Sequence, residues 1–243
     1  MKVNKKGELE NIRRYHYVFL GFSKFEDVYE KLQSLLKFYR FEYAGNSNAK
    51  EVIYDVPDDL LSSSGLVLSK QFEDGKIMFN VRKLSFLPGA KERPSKKFLL
   101  GELEADEEPK DFSLEISSAI ENSFTTSFSV DLDSIVKQTM PKIEIIIKAK
   151  KYKIIGGTGF RGYLIYENAI YKDIKSGKKV SRLGITLQFS ASREWEEENK
   201  KILDIIEREV KELALYNVSR FEIAQKLLYS APLDEDEETE DEE

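Results

Sequence analysis

Residues Val52–Leu84 read VIYDVPDDLLSSSGLVLSKQFEDGKIMFNVRKL, and this stretch decides the fold. It opens on a short strand over residues 51–55, EVIYD, rich in β-branched and aromatic side chains. Pro57-Asp58-Asp59 starts a turn, and LLSSSG bridges to a second strand over Leu66–Phe72. Glu73-Asp74-Gly75-Lys76 is a hairpin turn, because Asp-Gly accepts the positive φ that tight hairpins need. A third strand runs Ile77–Leu84. Strands joined this tightly pair antiparallel, since parallel pairing needs a long crossover.

Working outward, residues 14–22 have strand composition. Ser23-Lys24-Phe25-Glu26 has the capping-box pattern, and helical spacing of Phe25, Val28, Leu32, Leu35, Leu36 and Tyr39 predicts a helix over 24–40. Gly45-Asn46-Ser47-Asn48 reads as a loop, and residues 98–104 as a strand. Residues 112–139 carry helical patterns, with Asp131 as a cap and Pro141 ending the segment. Strands follow over 142–155, 162–171 and 180–190, then helices over 194–214 and 219–229. About eight strands in hairpin runs argue for an antiparallel sheet in an α+β fold, not βαβ units.

The composition excludes several chemistries. With no cysteine, disulfides, thiolate zinc sites and a cysteine nucleophile are ruled out, and a cytoplasmic setting fits. The single histidine, His16, rules out multi-histidine metal sites, so any metal takes oxygen ligands, which points to Mg²⁺, Mn²⁺ or Ca²⁺. No apolar run is long enough for a membrane helix. The net charge of −6 is dominated by DEDEETEDEE at 234–243, which holds 9 of the 44 acids. The rest has 35 acids against 38 Lys and Arg, a body of about +3 that suits an anionic ligand. Residues 1–231 are therefore read as one domain and 232–243 as an acidic disordered tail.

Strand alternation sorts the polar residues by face. Lys142, Glu144, Lys148 and Lys150 share one parity, and Ile143, Ile145, Ile147 and Ala149 the other. Asn80 and Arg82 share a face, as do Glu102 and Glu104, and as do Thr186, Gln188 and Ser190. Two arrangements satisfy this pattern. A closed barrel with polar residues inward makes a hydrophilic tunnel; an ordinary half-solvated sheet puts the same residues in water.

The Val52–Leu84 stretch resembles the CYTH (triphosphate tunnel) superfamily. The matching positions are Tyr54, Asp55, Pro57, Leu61, Gly65, Leu66, Leu68 and Gly75, with Arg82 at the family's strand-end lysine. Arg182–Gln188, RLGITLQ, resembles a late strand of that family, and Ser219-Arg220-Phe221 its C-terminal element. The resemblance implies an eight-stranded antiparallel β-barrel, a tunnel with helices packed outside. It implies a phosphate-rich small molecule as partner and Mg²⁺ or Mn²⁺ as cofactor. Arg82, Lys148, Lys150 and Arg161 are then the anion-binding candidates, and Glu102, Glu104 and Glu167 the metal candidates.

The sequence also departs from the family. Its Glu-x-Glu-x-Lys signature on the first strand reads Arg14-Tyr15-His16-Tyr17-Val18 here, and its Arg-x-Arg pair is Ser69 and Gln71. Removing the metal carboxylates implies weak or lost catalysis. Three functions follow as expectations: binding of triphosphate, polyphosphate or similar anions; a divalent-metal triphosphatase using non-standard carboxylates; and a protein-interaction scaffold, as a homodimer or with another protein. Nucleic acid is disfavoured, because Lys148, Lys150, Lys151 and Lys153 cluster without an aromatic stacking platform.

Overall fold

The Val52–Leu84 stretch folds as its turn chemistry requires. In the computed structural model, strand β2 (Tyr39–Asp55) leads through a helical turn, α2 (Leu60–Ser63), into β3 (Leu66–Glu73) and β4 (Lys76–Lys83). Asp55 organises the corner: its buried carboxylate accepts the amides of Val56 at 2.8 Å, Leu61 at 2.9 Å and Ser62 at 3.1 Å. Gly65, with φ +78°, supplies the left-handed conformation that turns the chain into β3. The structure describes residues 12–20, 24–73, 76–83, 95–98, 106–123, 131–157, 159, 161–190, 192–215 and 220–229.

The remaining strands are β1 (Ile12–Phe19), β5 (Ser95–Phe98), β6 (Met140–Gly156), β7 (Arg161–Asp173), β8 (Lys179–Ser190) and β9 (Leu213–Leu215). The helices are α1 (Phe25–Leu35), α3 (Ser113–Ser123), α4 (Leu132–Lys137), α5 (Glu196–Glu209) and α6 (Arg220–Tyr229). All strands join one antiparallel sheet in the order β5-β4-β3-β2-β6-β7-β8-β1-β9. The α+β class therefore stands. The expected closure of eight strands into a barrel is not shown: the sheet has nine strands among the described residues, and there its end strands β5 and β9 are not bonded to one another.

Several boundaries differ from the sequence expectation. The expected 45–48 loop lies inside β2 as a bulge, with a register shift between Tyr43 and Gly45 and Gly45 at φ +109°. Pairing with the long strand β6 carries β2 through a segment whose composition favours a turn. Helix α1 stops at Leu35 rather than 40, because the chain from Tyr39 onward pairs with β6. Its N-cap is Lys24 without a side-chain cap bond, and Ser23 lies outside the described residues. Asp131 does cap α4, accepting the Ser134 amide at 3.3 Å. Of the expected 98–104 strand only Phe98 is described, at the end of β5. Among the described residues, no helix is long and apolar enough to cross a membrane.

The sheet is buried on both faces. On one face, α1 and α5 cover Tyr17, Ile154, Leu164, Ile185, Leu187 and Phe189. Further along that face, α2, α3 and α4 cover Val52, Tyr54, Leu68, Phe79 and Val81. On the other face, Phe221, Ile223, Ala224 and Leu228 of α6 pack on Ile145, Ile147, Ala169 and Tyr171. We refer to this second surface as the α6 face.

Candidate functional site

Register assigns the α6 face strand by strand, since hydrogen-bonded partners in adjacent strands point to the same side. His16 pairs with Thr186, Thr186 with Ile165, and Ile165 with Lys151. Arg182 pairs with Ala169, Ala169 with Ile147, and Ile147 with Ala49. Glu51 pairs with Ile145 and Gln71. The polar residues on this face thus come from seven strands separated widely in sequence.

Two largely buried ion pairs occupy it among the described residues, beside an exposed pair, Arg40–Glu42. Glu167 accepts Arg220 Nη2 on both oxygens, at 3.0 and 2.9 Å, and the Thr186 hydroxyl at 3.0 Å. The same hydroxyl lies 2.8 Å from His16 Nδ1. Burial alone would raise the Glu167 carboxyl, but Arg220, with help from His16 and Thr186, holds it below its ordinary value. His16 moves the other way: burial, reinforced by Arg220 and Arg14 against Glu167, lowers it from 6.5 to about 4. The second pair joins Arg82 to Glu51, which also accepts Gln71 Nε2 at 3.3 Å. Burial opposes ionisation of Glu51, but Arg82, together with Ser69, Arg220 and Gln71, offsets it, so this carboxyl also sits below its ordinary value.

A cavity of about 40 Å³ lies beside the first pair, lined by His16, Glu167, Tyr171, Arg182, Thr186 and Arg220 among others. Burial pushes the Tyr171 phenol up to about 12, so it remains a neutral donor. Gly184 also lines the cavity, and a Cβ there would meet the Tyr17 carbonyl at 2.9 Å, so only glycine lets β1 approach β8 here. Arg14 and Lys153 are exposed, and Lys151 Nζ stands 3.9 Å over the Tyr163 ring. All three share the α6-face register, and the face is basic beyond the cavity.

The sequence candidates are distributed unequally. Arg82 and Glu167 lie on the α6 face, each in an ion pair. Lys148 and Lys150 pair with Asn168 and Tyr166, and are exposed on the opposite face. The expectation that the lysine parity of β6 points inward with Arg82 is therefore reversed. The apolar residues Ile143, Ile145 and Ile147 face α6, because that helix needs an apolar seat. Arg161 pairs with Ile155 at the start of β7, and its side chain is outside the description. Glu102 and Glu104 lie outside the described residues.

The described carboxylates on this face do not fit a divalent cation. Glu51 and Glu167 are each neutralised by a guanidinium, and no group of three or more potential ligands occurs among the described residues. Sequence reasoning missed Arg182, Arg220 and Glu51 as site residues. The signal for Arg220 was its place beside Phe221, in the segment that matched the family's C-terminal element.

No family model matches the chain, and no curated protein matches it in sequence. Solved structures do match. One is the candidate adenylyl cyclase HpAC1 from Hippeastrum, described as having a dominant triphosphatase activity. It is 11% identical, with 93% of this chain and 99% of that one covered, at a TM-score of 0.53. Others are a Bacillus halodurans protein assigned as an adenylate cyclase, 12% identical over 92% and 98% of the two chains at 0.47, and Pyrococcus horikoshii PH1819, 10% identical over 89% and 99% at 0.46. The likeness is one of fold. The chain shares the fold of the Hippeastrum protein.

Proposed function

We propose that this CYTH-type chain binds a phosphate-rich or similar organic anion on its α6 face, with weak or no hydrolysis. The observation that carries this reading is the cavity where Arg182 and Arg220 meet His16, Thr186 and Tyr171. Guanidinium groups in a partly desolvated site bind phosphate oxygens through charge-assisted hydrogen bonds. The basic residues Arg14, Lys151 and Lys153 extend the attraction along the same face. The triphosphatase activity described for the Hippeastrum protein makes tripolyphosphate and ATP the first ligands to test.

Hydrolysis by a metal route is not supported by the same residues. Metal-assisted phosphoryl transfer needs carboxylates free to bridge the ion to the phosphate chain. Here Arg14 and His16 stand at the first-strand signature positions, and Glu167 is engaged by Arg220. Calorimetric titration with tripolyphosphate and ATP, in EDTA and again in Mg²⁺ or Mn²⁺, tests the reading. Binding in EDTA is expected, with little phosphate release under either metal. No binding at millimolar ligand overturns it. Metal-dependent release abolished by Glu102→Ala or Glu104→Ala would establish the triphosphatase alternative instead.

A further inference from the structure

The proton inventory around His16 specifies more than a charge preference. Glu167 is held as a carboxylate by Arg220 and can only accept. The Thr186 hydroxyl has one proton, and it goes to Glu167. Thr186 therefore accepts from His16, so Nδ1 carries the ring proton and Nε2 carries a lone pair. Nε2 has no hydrogen-bond partner among the described residues, and the ring lines the cavity.

The groups facing this ring are Arg14 from β1, Glu167 and Tyr171 from β7, Arg182 from β8 and Arg220 from α6. Burial first, then Arg220 and Arg14 against Glu167, disfavour a second proton on the imidazole. The cavity thus offers cationic donors on one side and a neutral acceptor on another. A fully ionised phosphoryl group satisfies the donors but sets an oxygen lone pair against Nε2. A group that keeps one proton satisfies both. At about 40 Å³, the cavity has room for one tetrahedral head group, including the end group of a phosphate chain.

We propose that this cavity selects a phosphoryl end group in its singly protonated form. The anionic oxygens face Arg182 and Arg220, and the P–OH donates to His16 Nε2. The Glu167–Thr186 pair fixes the imidazole tautomer and acts as a positioning element. This rests on the anion-binding reading above and adds the protonation state of the ligand.

Methyl phosphate and methyl sulfate are the probes, because they share a shape and only the phosphate carries a proton that titrates in the working range. Phosphomonoesters lose that proton near pH ~6. Calorimetry on the full chain is expected to show methyl phosphate binding weakening roughly tenfold or more from about pH 6 to about pH 8. Methyl sulfate affinity is expected to stay flat. His16→Phe removes the difference between the two probes. Methyl phosphate affinity that is flat, or rises with pH, overturns the inference while leaving the anion reading intact. Absence of binding by either probe at any pH overturns both. His16 is the single histidine of the chain, so its ¹⁵N signals are unambiguous even if the variant fails to fold. A protonated Nδ1, and an Nε2 that shifts when methyl phosphate is added, are expected; the opposite tautomer overturns the proposal.

Discussion

Asp55 and His16 show how single residues set corner and site. Asp55 accepts three backbone amides in a buried corner, so Asp55→Ala strands those donors. The expected loss is about 2 kcal/mol or more, read from urea midpoints, with Asp55→Asn losing less. An unchanged midpoint in the alanine variant contradicts that role. The Tyr54-Asp55 motif was legible in the sequence, because turn chemistry is local. The His16–Thr186–Glu167–Arg220 chain was not: its members are spread over 204 positions, and only strand register brings them together.

His16 also makes stability depend on pH. Its folded pKa lies near 4, below the unfolded 6.5. Between those values the unfolded chain takes up a proton that the folded chain does not, so stability falls as pH falls across the window. The full effect is roughly 3 kcal/mol. Glu51, Glu167 and Asp173, with lowered folded pKa values, add a loss of the same sign at lower pH still. Urea midpoints should drop between about pH 7 and about pH 5, and His16→Gln should flatten that drop. Equal midpoints across this range would contradict the burial of a neutral imidazole.

At the scale of elements, α6 is latched at both ends. Arg220 holds Glu167 at its start; at its end Lys178 Nζ donates to the Leu228 carbonyl at 2.7 Å and Tyr229 bonds Asp173. Between them the apolar residues of the helix seat on β6 and β7. Leu228→Ala should cost about 2–4 kcal/mol through the cavity it leaves. Arg220→Ala should cost a similar amount by leaving Glu167 uncompensated, and replacing Glu167 with Gln in the same chain should recover part of it. Faster amide exchange confined to α6 would show the latch opening before the sheet. This helix also explains why the β6 faces were misread. Alternation gives two faces but not which one an element covers, and α6 covers the isoleucines.

At the scale of the whole molecule, the sheet separates two basic surfaces. The α6 face carries Arg182 and Arg220 beside a cavity, with Arg14, Lys151 and Lys153 further along it. The opposite face carries Lys148 and Lys150 in the open, beside Asn46 and Asn168. Charge alone attracts an anion to both; a specific site needs converging donors. The most direct measurement is tripolyphosphate titration, in EDTA, of Arg182→Ala beside a chain carrying Lys148→Ala and Lys150→Ala together. Affinity should fall roughly tenfold or more in the arginine variant and change little in the double lysine variant, apart from a shallower salt dependence. Loss of binding in the lysine variant, with Arg182→Ala unaffected, would place the ligand on the opposite face and contradict the account.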